Sequence, residues 1–299
     1  MDSINFEYVK QLENGINKHQ ITTLTKTQEI IDYTTEFELT TNDFIGMTKA
    51  IEIAAEFYDV NAVVMTKSTQ VTGVALGSDL SDAFAKAIDC NPVDAMSSVV
   101  CTTKGIDKKL AIQLSAAQLI IAPDFEDEAI SVFSKHSIRY VKLNTPLESC
   151  KNFIKEDLTI TPFGTIVQEK NTSELGKDCF KIVTKIKPSV EQIEDAVFAW
   201  KVAKYTKSNA IVVAKNFKTL SIAQGIQSQA CEFAMNYACD TAKETVVASD
   251  LPIGISDFNT IIQNRASVII VPGATQEVIK LADKYEKIII TTGFTTALY

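Results

Sequence analysis

A lysine stands at the end of an apolar, β-branched segment in the stretch NAVVMTKSTQVTGVALG, residues 61–77. Lys67 is followed by Ser68 and a polar turn, and a second lysine, Lys215, ends the similar stretch NAIVVAK. Open α/β sheets usually bind ligands beyond the carboxyl ends of their strands, where an ammonium group can hold an anion. The two lysines are either two halves of a site or two inherited surface positions, and their spacing leaves both interpretations open.

Histidine and cysteine, the usual residues of proton transfer and of zinc sites, are scarce and scattered. Two histidines, His19 and His136, offer too little for a histidine-based zinc site or a catalytic triad. No C-x-x-C pair occurs among the cysteines, which is typical of reduced thiols in a cytoplasmic protein. These cysteines are Cys90, Cys101, Cys150, Cys179, Cys231 and Cys239.

The net negative charge of the chain argues against polyanionic partners. The chain of 299 residues has a formal net charge of −8 and no basic tract, which argues against nucleic acid or an anionic membrane as the main partner. No apolar run reaches the roughly 18–20 residues of a membrane span, and the start MDSINFEYVK lacks the features of a signal peptide. We therefore expect a cytoplasmic globular protein whose ligand, if anionic, needs a local cationic pocket.

The elements that must position these residues follow an α/β pattern. Helical spacing of apolar residues predicts helices at 48–58, 79–88 and 191–206, and β-branched runs predict buried strands at 61–66, 97–103 and 117–123. Strands separated by helices imply a sheet with largely parallel connections. The pattern becomes less regular near LTITPFGTIVQEKNT, residues 158–172.

The pattern then repeats. A shift of 148 residues carries NAVVMTK onto NAIVVAK and SSVVCTT (97–103) onto TVVASDL (245–251), and a shift of 149 carries IIAPDFEDEAISV onto IIVPGATQEVIKL. Three matches in order at a nearly constant offset indicate two similar α/β units. The predicted division is 1–150 for the first unit, 151–184 for a short β-containing connection and 185–299 for the second unit.

Several segments resemble the AICAR transformylase family, the folate-dependent formyltransferases of purine biosynthesis. FAWKVAKYTKSNAIVVAKN (198–216) is close to the family signature, and LENGINKHQ (12–20) stands where the family has L-R-Y-G-x-N-P-H-Q. NPVDAMSSVV (91–100) resembles D-P-x-S-A-F-G-G-I-I, and ASDLPIGISD (248–257) resembles A-S-D-A-F-F-P-F-x-D. FELTTND (37–43) and VPGATQ (271–276) match two further landmarks, so the likeness covers nearly the whole chain.

The resemblance implies a fold, a reaction and an assembly. It implies two tandem cytidine-deaminase-like α/β/α units and a homodimer whose sites lie between subunits. The reaction would be formyl transfer from the co-substrate 10-formyltetrahydrofolate to AICAR, with no tightly bound cofactor and no metal. The zinc motifs of true cytidine deaminases, H-x-E and P-C-x-x-C, are absent. Because residue 12 already lies in the first landmark, we expect no IMP cyclohydrolase activity.

The family pattern carries candidate site residues onto this chain. Lys67 and Asn209 are the predicted catalytic positions, and Ser68 stands at the position of the family's histidine. The predicted substrate-binding residues are His19, Gln20, Gly73, Asp250, Pro272 and Gly273. Each also has a structural interpretation: glycines, Pro272 and Ser249 shape turns, Asn209 caps its own strand and His19 is an ordinary surface histidine.

Other positions depart from the pattern. Glu13-Asn14 replaces an Arg-Tyr pair, Gln229 and Thr295 replace arginines, and LPIGI (251–255) replaces an aromatic pair. Three hypotheses follow: a formyltransferase with a rearranged site, a binding or regulatory protein that has lost the chemistry, and a structural partner of another copy or of a catalytic paralogue.

Overall fold

The computed structural model describes residues 5–13, 15–17, 19–95, 97–173, 176–238, 241 and 243–298. The chain divides into two compact units. The first contains residues 1–72, 78–84 and 92–151, and the second contains residues 73–77, 85–91 and 152–299. In both units, helices and strands alternate along the chain, so the protein is a mixed α/β protein.

The first part of the chain contributes eight strands and six helices in the described ranges. The strands are β1 (Glu7–Leu12), β2 (Thr22–Lys26), β3 (Tyr33–Thr34), β4 (Ala62–Lys67), β5 (Gln70–Leu76), β6 (Val99–Thr102), β7 (Leu119–Ala122) and β8 (Arg139–Leu143). The helices are α1 (Thr41–Ala55), α2 (Leu80–Ile88), α3 (Pro92–Ala95), α4 (Lys108–Gln113), α5 (Asp127–His136) and α6 (Leu147–Cys150).

The remainder contributes eight strands and four α-helices in the described ranges, with a short 3₁₀ helix at Lys177–Cys179. The strands are β9 (Glu156–Thr161), β10 (Gly164–Glu169), β11 (Lys181–Ile182), β12 (Ile211–Lys215), β13 (Lys218–Ala223), β14 (Val246–Ser249), β15 (Val268–Val271) and β16 (Ile288–Thr291). The helices are α7 (Val190–Tyr205), α8 (Gln227–Ala238), α9 (Ile255–Gln263) and α10 (Gln276–Lys284).

The order of the paired strands, including the short strand before each long helix, is the same in the two units. In the first unit β4 pairs antiparallel with β6, β6 and β7 pair in parallel, β7 and β8 pair in parallel, and β3 closes the edge antiparallel to β8. In the second unit β12, β14, β15, β16 and β11 take the corresponding places. All four residues of β6, β7, β14 and β15 are buried, as expected for strands covered on both faces.

The pairing corrects one detail of the sequence repeat. Ile211 lies 148 residues after Val63, yet its partner Ser249 lies 147 residues after Thr102, the partner of Val63. A shift of 148 over both strands therefore misplaces β14 by one residue. A sequence match between valine-rich strands can be off by one residue, because neighbouring residues in them are chemically alike. In the folded sheet the same shift is not tolerated, because it would move every side chain to the opposite face of the strand.

Most predicted elements are confirmed, with one correction. The predicted strands at 61–66, 97–103 and 117–123 and the predicted helices at 79–88 and 191–206 coincide with observed elements. Helix α1 begins at Thr41, not near 48, because Thr40 and Asp43 form a capping box that starts it earlier. The β structure expected in the connection 151–184 is present, because β9 and β10 form an antiparallel hairpin, with a more regular pairing than the pattern of residues 158–172 indicated.

Candidate functional site

Lys67 is the last residue of β4, and its side chain is half-exposed. The Lys67 Nζ atom donates a hydrogen bond to Asp94 Oδ1 at 2.6 Å. Ser68, which follows at the hairpin turn, is exposed and has a left-handed backbone with φ 54°. The strand end thus presents an ion pair and a hydroxyl group, without an imidazole at the position of the family's histidine.

Asp94 lies in the short helix α3, and its backbone is held from two sides. The Ser98 hydroxyl donates to the Asp94 carbonyl oxygen at 2.8 Å, and the Ser97 amide donates to the same oxygen at 3.1 Å. Ser98 is fully buried, and its hydroxyl lies 3.1 Å from that of Thr72 in β5. These contacts fix the segment from which the Asp94 carboxylate reaches Lys67.

The position of Lys67 relative to the parallel strands differs from the sequence expectation. Since β4 runs antiparallel to β6, with Thr66 opposite Val99, Lys67 lies at the amino ends of the parallel strands β6–β8. Lys67 therefore lies at the opposite edge from the carboxyl ends of β6–β8, and its role in ligand binding stays a prediction. Lys215 has the same place in β12, where its Nζ atom donates to the Lys243 carbonyl oxygen at 3.1 Å.

His19 and Gln20 lie in the loop between β1 and β2, and both are exposed. The Gln20 Oε1 atom accepts hydrogen bonds from the Asn17 backbone amide at 3.0 Å and from the Asn17 side-chain amide at 3.2 Å. Gln20 therefore holds its own loop together. Glu13 is exposed, and Asn14, the second residue of the replaced Arg-Tyr pair, lies outside the described residues.

Gly73 in β5 is required by packing. A Cβ atom at this position would lie 2.2 Å from the Ala87 carbonyl oxygen and 3.5 Å from Cys90 Cβ. Because the nearest atom belongs to backbone, a flexible side chain cannot relieve the clash. This contact explains a glycine here without a ligand, and binding through its backbone stays a prediction.

In the second unit, Asn209 and Asp250 lie at one edge of the sheet, at the start of β12 and just after β14. The Asp250 carboxylate is fully buried and accepts a short hydrogen bond from the Ser208 hydroxyl and a bond of 2.7 Å from the Ala210 amide. Asn209 Nδ2 donates to the Gly225 carbonyl oxygen at 2.6 Å, and the Ser208–Asn209 peptide bond is cis. Both side chains are thus engaged in fastening the loop before β12.

Burial dominates the ionisation of Asp250. Removal from water raises the pKa of the Asp250 carboxyl above its ordinary value, and the hydrogen bonds from Ser208 and Ala210 oppose that rise without cancelling it. The neighbouring Ser249 hydroxyl donates to the Leu251 carbonyl oxygen at 2.8 Å. The predicted substrate-binding role of Asp250 would require a ligand to reach a carboxylate that is fully enclosed here.

Pro272 and Gly273 follow β15 at the same edge. Pro272 is buried, and its carbonyl oxygen accepts a bond of 2.9 Å from the Gly293 amide. A Cβ atom at Gly273 would meet nothing within 4 Å, so packing does not demand glycine there. The final segment then reaches Ser208, whose amide donates to the Leu298 carbonyl oxygen at 2.8 Å. There is therefore free space beside the Gly273 backbone, at the sheet edge where residues 293–298 run past Pro272 and Ser208.

Gln229 lies on the exposed face of α8. It borders an open groove of about 550 Å³ together with Glu232, Phe233, Asn236 and Tyr237. The Phe233 and Tyr237 rings are stacked with centroids 5.8 Å apart. The described lining holds one carboxylate and no cation. Thr295, the other position of a replaced arginine, is exposed.

Asp94 was not among the residues predicted from the sequence. The signal was present, because NPVDAMSSVV has Asp94 where the resembled pattern has serine, and Ser97-Ser98 where it has two glycines. Met96, between them, lies outside the described residues. The sequence does not show what Asp94 contacts, because its partner Lys67 is 27 residues away in the chain and only the fold brings the two together.

The described ranges contain neither a cluster of metal-ligand side chains nor a helix that could cross a membrane. Within them, no three His, Cys, Asp or Glu side chains are grouped so that they could hold a metal ion. No helix in the described part of the chain has the length and apolar character needed to cross a membrane.

Comparison with known proteins decides the family. The model of the AICARFT/IMPCHase bienzyme family matches residues 2–241. The chain belongs to this family. The resemblance noted in the sequence is thereby confirmed at the level of the family.

Relatives in this family are bifunctional purine biosynthesis proteins PurH. The protein of Acetivibrio thermocellus is 31% identical over 97% of this chain and 59% of its own length, and that of Thermoanaerobacter sp. is 34% identical over 86% and 51%. The Bacillus cereus protein is 31% identical over 97% and 59%. The chain thus spans between half and three fifths of the length of these relatives.

Proposed function

We propose that this chain is a formyltransferase-type protein that transfers the formyl group of 10-formyltetrahydrofolate to the 5-amino group of AICAR, at a greatly reduced rate. The family match over residues 2–241 is the observation that carries this proposal. Lys67, at the end of β4, is the best catalytic candidate because its ammonium group can donate to the oxygen of the formyl carbon under attack. Asn209 is the second proposed catalytic residue.

The reduced rate follows from the residue beside Lys67. A proton must leave the attacking amine and another must reach the folate nitrogen as it departs. A histidine suits both transfers because its pKa lies near neutrality, whereas the Ser68 hydroxyl is too weak an acid and base without a partner. General acid–base groups contribute about 10²–10⁴-fold. We therefore expect AICAR turnover at least ~100-fold slower than in a family member that has the histidine.

A turnover assay of the purified chain with AICAR and 10-formyltetrahydrofolate tests the proposal. Ser68→His alone should restore little activity, because Glu13, Gln229 and Thr295 still lack the cations that hold a phosphate. Ser68→His combined with Glu13→Arg and Thr295→Arg should restore more. A turnover rate equal to that of a PurH relative would contradict the proposal, and Lys67→Met would then show whether the lysine takes part.

The alternative is a protein that binds a ligand, or pairs with a catalytic paralogue, without turnover. The same replacements favour it, since the changed positions are those of charge and proton transfer. Calorimetric binding of AICAR or of the folate without product formation would select this alternative. His19, Gln20, Gly73, Asp250, Pro272 and Gly273 remain the proposed substrate-binding positions under either function.

The two units are proposed to be copies of one cytidine-deaminase-like fold, divided as 1–150, 151–184 and 185–299. The shared order of helix, hairpin and parallel strands supports this proposal. An experimental structure in which α1–β8 fails to superpose on α7–β16 would contradict it. A cytoplasmic location, with no nucleic-acid or membrane partner, stays a prediction.

A homodimer is the proposed assembly, and the β9–β10 hairpin supports it. Among the described strands, β9 and β10 pair only with each other, and their hairpin exposes Phe163 fully and Ile160 to 84%. A two-stranded hairpin is marginally stable alone in water, so an apolar surface of this kind needs a covering partner. Light scattering should report a dimer at micromolar concentration, weakened by Phe163→Asp but not by the control Ile112→Asp on α4. A monomer at that concentration would refute the proposal.

A further inference from the structure

Asp94 lies beside the proposed catalytic lysine, within the same compact unit of the chain. The Asp94 Oδ1 atom is 2.6 Å from the Lys67 Nζ atom, and both side chains are about two-fifths exposed. A substrate can therefore reach the carboxylate and the ammonium group together from solvent. An ammonium group only donates hydrogen bonds, whereas an ionised carboxylate only accepts them and can take up a proton. The end of β4 thus combines a donor with a base.

Buried hydroxyl groups anchor the segment that carries Asp94. The Ser98 hydroxyl donates to the Asp94 carbonyl oxygen at 2.8 Å and lies 3.1 Å from the Thr72 hydroxyl. Both of these hydroxyl-bearing residues are buried. Because a buried network holds the backbone of Asp94, its carboxylate reaches Lys67 from a fixed position. A group that transfers a proton in the transition state needs such support.

The sequence around Asp94 differs from the family pattern at two positions three residues apart. The pattern D-P-x-S has an aspartate where this chain has Asn91, and a serine where this chain has Asp94. The segment thus keeps one carboxylate, on the residue that reaches Lys67. At the same strand end, Ser68 stands where the pattern has a histidine. An imidazole is therefore missing beside Lys67, and a carboxylate is present on a residue that is a serine in the pattern.

The geometry of the pair suits proton transfer at the formyl carbon. In the proposed reaction the Lys67 ammonium group donates to the formyl oxygen, and its three N–H donors point in tetrahedral directions. A formyl oxygen on a second donor would lie about 4.5 Å from the Asp94 oxygen, for two hydrogen bonds of about 2.8 Å each. The attacking amine is bonded to the same formyl carbon. Its proton is therefore within reach of the carboxylate, directly or through one water molecule.

We propose that Asp94 is a further catalytic residue, which carries the proton of formyl transfer in place of the family's histidine. This inference rests on the proposed function, because it takes AICAR and 10-formyltetrahydrofolate as the reactants. The Asp94 carboxylate accepts the proton that the 5-amino nitrogen loses as its bond to the formyl carbon forms. The resulting carboxylic acid gives this proton to the folate nitrogen as the bond between that nitrogen and the formyl carbon breaks. Asp94 ends ionised, and no further reactant is consumed.

The carboxylate reduces the effect of the missing histidine without abolishing it. Ordinary pKa values are ~3.9 for an aspartate and ~6.5 for a histidine, so an aspartate is the weaker base near neutral pH. Turnover at least ~100-fold below that of a relative with the histidine agrees with a weaker base at the same step. The turnover that this chain retains therefore depends on Asp94.

Turnover of the full chain with AICAR and 10-formyltetrahydrofolate tests the inference. Asp94→Asn keeps the size of the side chain and an oxygen that accepts from Lys67, but an amide is not a base. It should lower kcat by at least a further ~10-fold with little change in KM. Asp124→Asn is the matched control, because Asp124 pairs with Lys142 at the same distance of 2.6 Å in the same unit. This control should leave kcat unchanged.

Chemical rescue separates proton transfer from a purely structural role. Imidazole added to Asp94→Ala can carry the proton, whereas it cannot restore the negative charge that faces Lys67. It should raise the kcat of Asp94→Ala several-fold and leave that of the unmodified chain unchanged, with sodium chloride at equal ionic strength as the reference. Ser68→His should likewise raise the kcat of Asp94→Asn by a larger factor than that of the unmodified chain, because it supplies the missing proton carrier.

Each outcome decides the matter. An unchanged kcat in Asp94→Asn and Asp94→Ala, with urea unfolding showing both variants folded, would overturn the inference and leave the proposed function standing. A lowered kcat that neither imidazole nor Ser68→His raises would also overturn it, because Asp94 would then only hold Lys67 in place. The absence of turnover in the unmodified chain would overturn the inference and the proposed function together.

Discussion

Replacing Asp250 tests whether the edge of the second unit is held by its own side chains. Asp250→Ala removes the acceptor of the Ala210 amide, in a buried bond, and of the Ser208 hydroxyl, in a part-buried bond. An unsatisfied buried donor costs about 1–3 kcal/mol, and the part-buried hydroxyl adds less because water can reach it, so the free energy of unfolding should fall by about 2–3 kcal/mol. Asp250→Asn keeps one acceptor oxygen for Ala210 and offers an amide donor to Ser208, and should cost less than about 1 kcal/mol.

Urea unfolding at pH 7, monitored by circular dichroism, measures the free energies of unfolding of Asp250→Ala, Asp250→Asn and the unmodified chain.

The pH dependence of stability supplies a second, independent readout. Because burial raises the pKa of Asp250 in the folded protein, its stabilising contribution is present below the unfolded value near ~3.9 and is lost as pH rises through the folded value. The stability of the unmodified chain relative to Asp250→Asn should thus fall from pH 4 to pH 7. Equal stability of Asp250→Ala and Asp250→Asn would refute the proposed network.

Three further predictions concern packing, charge and thiol reactivity. Gly73→Ala should destabilise the protein by about 1–3 kcal/mol in the same unfolding assay, because the added methyl group meets a backbone carbonyl of α2 at 2.2 Å. For Asp43, burial raises the carboxyl pKa, but the bonds from Arg139 and Thr40 outweigh it and the net pKa is lowered. The stability that Asp43 contributes should therefore be present above its unfolded pKa, be lost as pH falls through its folded pKa, and be absent in Asp43→Asn. Burial raises the pKa of Cys90 to about 11, so its thiol should react with a disulfide reagent at pH 8 only after unfolding, as mass spectrometry can show.

The fold was largely predictable because its signals are local. Runs such as VVCT and LIIA are buried on both sides, and their apolar character alone marks them as inner strands. The start of α1 was missed because it depends on the reciprocal bonds of Thr40 and Asp43, which are polar residues outside the apolar pattern. The one-residue error in β14 arose because register is set by pairing across the sheet, which composition does not encode.

The site was less predictable, since its contacts join distant residues. Asn209 and Asp250 were recognised by resemblance, but only the fold shows their partners. The Asn209 side chain donates to the Gly225 carbonyl oxygen after β13, and the Asp250 carboxylate accepts from the Ala210 amide just before β12. Cys239 was noted in the sequence and lies outside the described residues. Lys67 was identified from its strand, yet the edge it occupies depends on the direction of β4 relative to β6. Chain direction between neighbours is a tertiary property.

Burial does not by itself separate the positions that match the family pattern from those that differ. Gly73, Asp250 and Pro272 match it and are held by packing or by buried hydrogen bonds, whereas His19 and Gln20 match it and are exposed. Among the positions that differ, Glu13, Ser68, Gln229 and Thr295 are exposed, whereas Ser98 and Ile253 are buried. The interior accommodates the polar replacement, because the Ser98 hydroxyl donates to the Asp94 carbonyl oxygen at 2.8 Å and lies 3.1 Å from the Thr72 hydroxyl. A buried hydroxyl with its hydrogen bonds made is what a maintained fold requires, so the change at Ser98 is compatible with a chain that still depends on this architecture.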